Sequence, residues 1–263
     1  TPKPKRKPEK PLKKTTRRNL LKTKLLIPII ITGAITATLG ILTQTPKNNN
    51  MKERQTRTTT NTIKLPPPRT DGPISLEQAI LRRRSRREYT DTPLQLTQVS
   101  QLLWAAQGIT EPRVWIGLRS APSAGGLYPL EIYVAVKKGG VQELEPGIYH
   151  YKPREHELEL LIKGDFSEQL MTACVEQEWV RDAAINLVFT AVVERTKRRY
   201  GERGWQYILQ ESGHAAQNVY LQAETLGLGC VVIGAFYESE IEKILDLPSG
   251  EIPIYVMPVG SLK

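Results

Sequence analysis

The chain has 263 residues, 40% of them hydrophobic and 24% charged, and a formal net charge of +10, enough for one sizeable domain with extensions. The charge is concentrated: residues 1–24 hold eleven of the 37 Lys/Arg and one of the 27 acids, leaving 26 of each sign for the rest. A neutral body excludes a broad nucleic-acid face, which needs a clustered surplus of Lys/Arg against phosphates.

After the basic tail (1–24), residues 25–42 form an uncharged run from Leu25 to Leu42. Eighteen residues is the lower limit for crossing hydrocarbon as a helix, and Pro28, Gly33 and Gly40 weaken it further. A basic stretch before a modest apolar one is the layout of an export signal. Within it, Thr16-Arg17-Arg18-Asn19-Leu20-Leu21-Lys22 follows the twin-arginine pattern nearly position for position. The expectation is an exported or membrane-anchored protein, its tail inside and its domain outside; a cytoplasmic location is the alternative. Residues 43–72 are rich in Thr, Asn and Pro with little to bury, and read as a disordered linker extended around Pro66-Pro67-Pro68.

Residues 73–263 read as the folded domain. Ser75 with Gln78 marks a helix start. The stretch ending at Ile109 places Val99, Leu102, Leu103 and Ala106 on one helical face, and Gly108 stops it. Residues 130–136 predict a strand, and 147–151 with 157–162 a hairpin. Phe166–Glu178 is amphipathic. Residues 184–194 are almost continuously apolar, the pattern of a strand covered on both faces. Gly204–Leu226 predicts the longest helix, 230–236 a buried strand, 239–247 a short helix and 252–260 a closing strand. Helices and strands mix without a strict βαβ repeat, so the class is α+β. Cys174 and Cys230 read as buried small apolar residues. His150, His156 and His214 show no metal-ligand spacing, so no metal site is assigned; His214 reads as a helix-packing residue.

Two segments carry chemistry. Arg82–Arg87 places five arginines and Ser85 in six positions. Such a run is either a solvated helix end whose dipole favours cations or a phosphate site, since guanidinium forks and a hydroxyl match phosphate oxygens. Charge alone does not choose between them. Residues 119–129 (RSAPSAGGLYP) put small residues between two prolines before a strand, where the backbone can approach a flat ligand. An ordinary glycine turn has the same composition.

The two segments together, with Gly227-Leu228-Gly229-x-x-x-Ile233-Gly234-x-Phe236, resemble a nitroreductase-fold flavoprotein. Leu102–Gly108, Tyr200-Gly201-Glu202-Arg203 and Glu211-x-Gly213-His214-x-x-Gln217-Asn218 narrow the resemblance to the SagB-type dehydrogenase branch. It covers about residues 74–260. The resemblance implies a central mixed or antiparallel sheet flanked by helices, a homodimer, and FMN bound at the dimer interface. By matching positions, Arg83, Arg84, Ser85 and Arg87 hold the phosphate and ribityl chain. Pro122, Ser123, Ala124 and Gly126 line the ring from the partner subunit. Ile233 and Gly234 lie near the flavin's reactive edge, where a backbone N–H can bond N5, and Gln177 near its pyrimidine edge. Where relatives often carry a basic residue directly after this Pro-Val-Gly (258–260), the chain has Ser261-Leu262-Lys263, and Lys263 is the substitute phosphate contact. The implied activity is flavin-mediated hydride transfer in a ping-pong cycle, with a small molecule or a peptide as substrate. Branch members that oxidise azolines to azoles are thought to use a Lys/Tyr pair, for which Lys197 and Tyr200 are the nearest candidates. An exported address argues against that reaction and against a nicotinamide donor. The competing reading is a flavin-binding protein without turnover.

Overall fold

The computed structural model describes residues 61–115 and 117–263. The basic tail, the apolar run, the twin-arginine pattern and residues 43–60 of the expected linker lie outside the described residues.

The end of that expected linker is folded. Thr62–Lys64 form strand β1 against a later strand, and Leu65 is buried. Pro66 accepts a hydrogen bond from Ser100, while Arg69 and Gln101 exchange two. Composition misses this, because the stabilising partners lie more than thirty residues away.

Helix α1 (Leu76–Arg82) starts where Ser75 accepts from the Gln78 N–H, 3.2 Å away. Helix α2 (Leu96–Gln107) opens on a capping box between Gln95 and Gln98. A small hairpin, β2 (Ile109–Glu111) with β3 (Leu118–Arg119), and a short turn at Ala124–Gly126 follow. Then come β4 (Leu130–Val136), β5 (Gly147–Lys152), β6 (Glu157–Lys163), α3 (Ser167–Ala173), α4 (Glu178–Asp182) and β7 (Ile185–Val192). The chain closes with α5 (Glu194–Tyr200), α6 (Arg203–Thr225), β8 (Leu228–Cys230), α7 (Glu238–Leu245) and β9 (Glu251–Ser261).

Seven strands form one sheet in the order β1-β6-β5-β4-β7-β9-β8, with every pair antiparallel. Side chains alternate across it as a period of two requires. On β4, Leu130, Ile132, Val134 and Val136 face the core under α2 and α6, while Tyr133 and Ala135 face the core under α3, α4 and α7. Helices cover both faces, which explains why β7 is buried from Ile185 to Ala191 and reads as a continuous apolar run. This is the α+β arrangement expected.

Two elements differ from expectation. Phe166–Glu178 breaks after Ala173, with Val175 and Glu176 at φ 59° and 55°. The Cys174 carbonyl, which a continuing helix would use, accepts from the Gln177 side chain at 2.7 Å instead. Of the strand expected over 230–236, only Cys230 is in one, as the last residue of β8 (Leu228–Cys230). Val232 then turns its N–H to the Tyr220 hydroxyl, and Ile233 makes a lone bridge to Val256.

Candidate active site

The arginine segment is laid across the ends of β8 and β9. The Arg86 N–H donates to Cys230, Thr90 donates to Ser261, and Tyr89 bridges Leu262. Tyr89 anchors the segment: its ring is buried, its hydroxyl donates to the Arg86 carbonyl at 2.8 Å, and burial raises its pKa. The ring rests on Gly260, where a Cβ would lie 2.8–2.9 Å from Tyr89 Cγ, Cβ and Cδ1. These are not flexible far ends, so Gly260→Ala should destabilise the fold by about 2 kcal/mol. A Gly260→Ala urea midpoint matching wild type would show that the ring is not fixed there.

This placement presents the arginines separately. Arg83 stacks 5.2 Å over the Tyr220 ring, and Arg87 lies 5.3 Å over Trp179. Ser85 shares a 3.1 Å hydrogen bond with the Tyr220 hydroxyl. No carboxylate pairs with Arg83, Arg86 or Arg87 among the described residues. Arg84 is more committed: its guanidinium donates to the Leu81 and Arg83 carbonyls, and its N–H to Glu224. Lys263 lies beside the segment, 3.9 Å from Glu88. Arg83 and Arg87 thus rest on aromatic rings, whereas Arg87 is still exposed to solvent.

Next to this cluster, Gln177 donates to the carbonyls of Cys174 and Ala235. Its side-chain nitrogen holds a corner of the fold. Ile233 is buried and gives its own N–H to Val256 at 2.8 Å. Gly234 is exposed, and its N–H donates to no backbone carbonyl among the described residues.

The loop Pro122–Gly126 stands elsewhere. Ser123 accepts from the Tyr128 N–H and donates to Glu211 on α6. Glu211 is nine residues before Tyr220 on the same helix, about 14 Å along its axis at the usual rise. One protomer therefore keeps the loop and the arginine cluster apart. Gly125 and Gly126 have φ of 64° and 65°, and Tyr128 has 46°, conformations that favour glycine and strain tyrosine. Tyr128 is held by Arg119, 4.6 Å over its ring, and by the Arg119 N–H on its hydroxyl.

Beneath the loop is a buried polar group. Glu211 is 2% exposed, and burial pushes its carboxyl up to about 7 against the opposing Ser123 bond and Arg119 charge. Its Oε1 and Gln107 Nε2 have no hydrogen-bond partner among the described residues. Burial also lowers the Arg119 pKa. Deeper in the sheet Glu131 is bonded by His150 and Arg195; burial alone would raise its pKa, and these two partners hold it below the ordinary value.

Of the two catalytic candidates, Tyr200 comes to the loop, its hydroxyl 2.7 Å from where a Cβ on Gly125 would lie. Lys197 is tied to Glu202 at 3.0 Å. His214 is exposed on α6, so the packing role expected for it is not found. Cys174 and Cys230 are buried and unpaired, and burial pushes the Cys174 thiol up to about 12, so neither is a nucleophile. Sequence reasoning missed Tyr220, Trp179 and Arg199. It quoted Glu211 only as part of a motif.

A cleft of about 490 Å³ runs between residues 69–76, α2 and α6, lined by Leu76, Trp104, Ser120, Asn218 and Gln222 among others. It takes in none of residues 83–87. Leu76, Ile80 and Leu81 on α1 are 61%, 55% and 73% exposed, an apolar surface left uncovered in a single protomer.

Comparison with known proteins places this architecture. A protein of Methanocaldococcus jannaschii described as a candidate nitroreductase is 45% identical over 187 residues, 71% of this chain and 91% of its own length. The microcin B17-processing protein McbC of Escherichia coli is 26% identical over 148 residues, 55% of this chain and 54% of its own length. The crystal structure of a candidate nitroreductase from Ralstonia eutropha matches with a TM-score of 0.67 and 32% identity, covering 77% of this chain and 90% of that one. The nitroreductase family model matches residues 80–261, from the arginine segment through the end of β9. With its antiparallel sheet, flanking helices and that match, the chain belongs to the nitroreductase family.

Proposed function

We propose that the chain is an FMN-dependent oxidoreductase of the SagB-type branch, working as a homodimer in a ping-pong cycle. The carrying observation is the arginine cluster. Three guanidinium groups that have no carboxylate partner among the described residues, the Ser85 hydroxyl and the nearby Lys263 ammonium are donors of the kind a phosphate binds. Gly234 leaves an exposed N–H beside it. Arg83, Arg87 and Ser85 would hold the phosphate and ribityl end of FMN, with Arg84 and Lys263 adding charge. When bound, FMN supplies the two-electron chemistry, and the protein supplies position and electrostatics. Pro122, Ser123, Ala124 and Gly126 would line the ring of a neighbouring protomer, which the separation along α6 supports, and the apolar face of α1 gives a second copy something to cover.

The test is direct. Purified protein should be yellow and release FMN on denaturation, and photoreduced protein should be reoxidised by quinones or nitroaromatics. Colourless protein that cannot be reconstituted would overturn the cofactor, and reoxidation equally slow with every acceptor would favour flavin binding without turnover.

One observation favours a second reading, oxidation of azolines in a peptide: Tyr200 stands against the loop that would line the flavin, in a chain similar to McbC. The Lys197–Glu202 pair weighs against a Lys/Tyr base as it stands. As to location, the twin-arginine pattern and the apolar run support export or anchoring with the FMN domain outside. Arg17→Lys with Arg18→Lys should then strand the protein in the cytoplasm, and unchanged export would remove that route.

A further inference from the structure

Helix α5 and the start of α6 carry Arg195, Lys197, Arg198, Arg199 and Arg203 against Glu194 and Glu202. Arg195 is neutralised by Glu131 and Lys197 by Glu202. Arg199 and Arg203 are exposed and have no ion pair among the described residues. Both instead lie over rings: Arg199 is 5.4 Å from the centre of Tyr200, and Arg203 is 5.7 Å from Tyr207. The two tyrosines meet edge to face, 5.0 Å apart at 86°. The result is a ladder of guanidinium, ring, ring, guanidinium.

A solvated helix end does not explain it. Arg199 could complement the C-terminal dipole of α5, but Arg203 sits in the first turn of α6, where a cation is disfavoured and no acid accompanies it. The ladder also has a fixed neighbour. A Cβ on Gly125 would lie 2.9 Å from Arg199 Nη1 as well as 2.7 Å from the Tyr200 hydroxyl, so the loop closes onto it. Stacked guanidinium groups keep their N–H forks free for a planar anion.

We propose that this ladder docks the anionic group of an aromatic acid, a planar ring bearing a carboxylate or sulfonate, so that its ring enters beside the loop Pro122–Gly126. The assignment rests on the flavin reading, which puts the reacting ring on that loop. Tyr200 and Tyr207 offer ring faces and edges for the substrate body, and Arg199 and Arg203 select its charge.

The test uses the full chain loaded with FMN. Photoreduced protein is reoxidised by 1,4-naphthoquinone and by its 2-sulfonate, and the ratio of their KM values is compared between wild type and variants. Arg199→Gln with Arg203→Gln should shift that ratio by up to about tenfold against the sulfonate, the size expected of one exposed ion contact reinforced by a second nearby charge. Added salt at about 0.5 M should shift the wild-type ratio the same way, through screening. Arg198→Gln, an exposed charge outside the ladder, should leave the ratio unchanged. An unaltered ratio in the double variant overturns the proposal. Binding of redox-inert naphthalene-2-sulfonate, measured by calorimetry, separates the two readings. Binding lost in the double variant supports the ladder even if the protein takes no FMN, and no binding to an FMN-loaded, active wild type sinks the ladder while the function stands.

Discussion

Arg83→Ala combined with Arg87→Ala should weaken FMN binding by roughly a hundredfold to ten-thousandfold. Each charge-assisted contact to a phosphate is worth about 1.5–3 kcal/mol, and two lost contacts translate into that range at about 1.4 kcal/mol per tenfold. These two arginines are chosen because their heads lie over Tyr220 and Trp179 and have no carboxylate partner among the described residues. Stacking restricts the side chains before the ligand arrives, so little ordering remains to oppose binding. Arg82→Ala is the matched control: Arg82 donates along its own helix to Gln78 at 2.9 Å and should not matter to the flavin. Riboflavin, which lacks the phosphate but keeps the ribityl chain, should bind wild type weakly and lose far less than FMN in the double variant. Flavin content by absorbance and affinity by fluorescence quenching read both effects. A double variant as yellow as wild type, with an unaltered urea midpoint, would remove the phosphate assignment.

Much of the fold was legible because it is written locally. The two-residue alternation of β6 and the apolar runs of β4 and β7 give strand identity directly, and α6 shows its period over 23 residues. The arginine segment and the Pro122–Gly126 loop are contiguous in sequence, so their composition announces them. What could not be read is whatever depends on a distant partner. Ser85 meets Tyr220 across 135 positions, and Ser123 meets Glu211 across 88. Nothing in the periodicity of α6 tells which of its polar positions faces a loop and which faces water. Glu211 is buried while His214, one turn later, is exposed. Strand β1 was missed for the same reason: a threonine-rich segment becomes a strand only because β6 offers it an open edge. The boundary at Ala173 depends on a side chain that takes a backbone carbonyl, which helical spacing does not encode.

Glu211 is the residue for which burial makes the strongest demand. Its carboxyl is 2% exposed, its Oε2 accepts from Ser123, and its Oε1 has no partner among the described residues. Burial raises its pKa from 4.5 to about 7. The folded protein therefore keeps a proton that the unfolded chain gives up between those values. Stability from this group is fully present below about pH 4.5, declines as the pH rises through 7, and is level above that. A shift of this size corresponds to roughly 3 kcal/mol. Glu211→Gln keeps an oxygen for the Ser123 hydroxyl and removes the ionisation. Urea unfolding should find the variant more stable than wild type by roughly 2–3 kcal/mol at pH 8, with the two converging near pH 4.5. Profiles that run parallel from pH 4.5 to 8 would show that Glu211 titrates as an ordinary carboxylate. Glu211 lies one hydrogen bond beneath the loop proposed to carry the flavin and fixes the position of Ser123 there. The same variant should then loosen FMN relative to wild type even where it is the more stable protein.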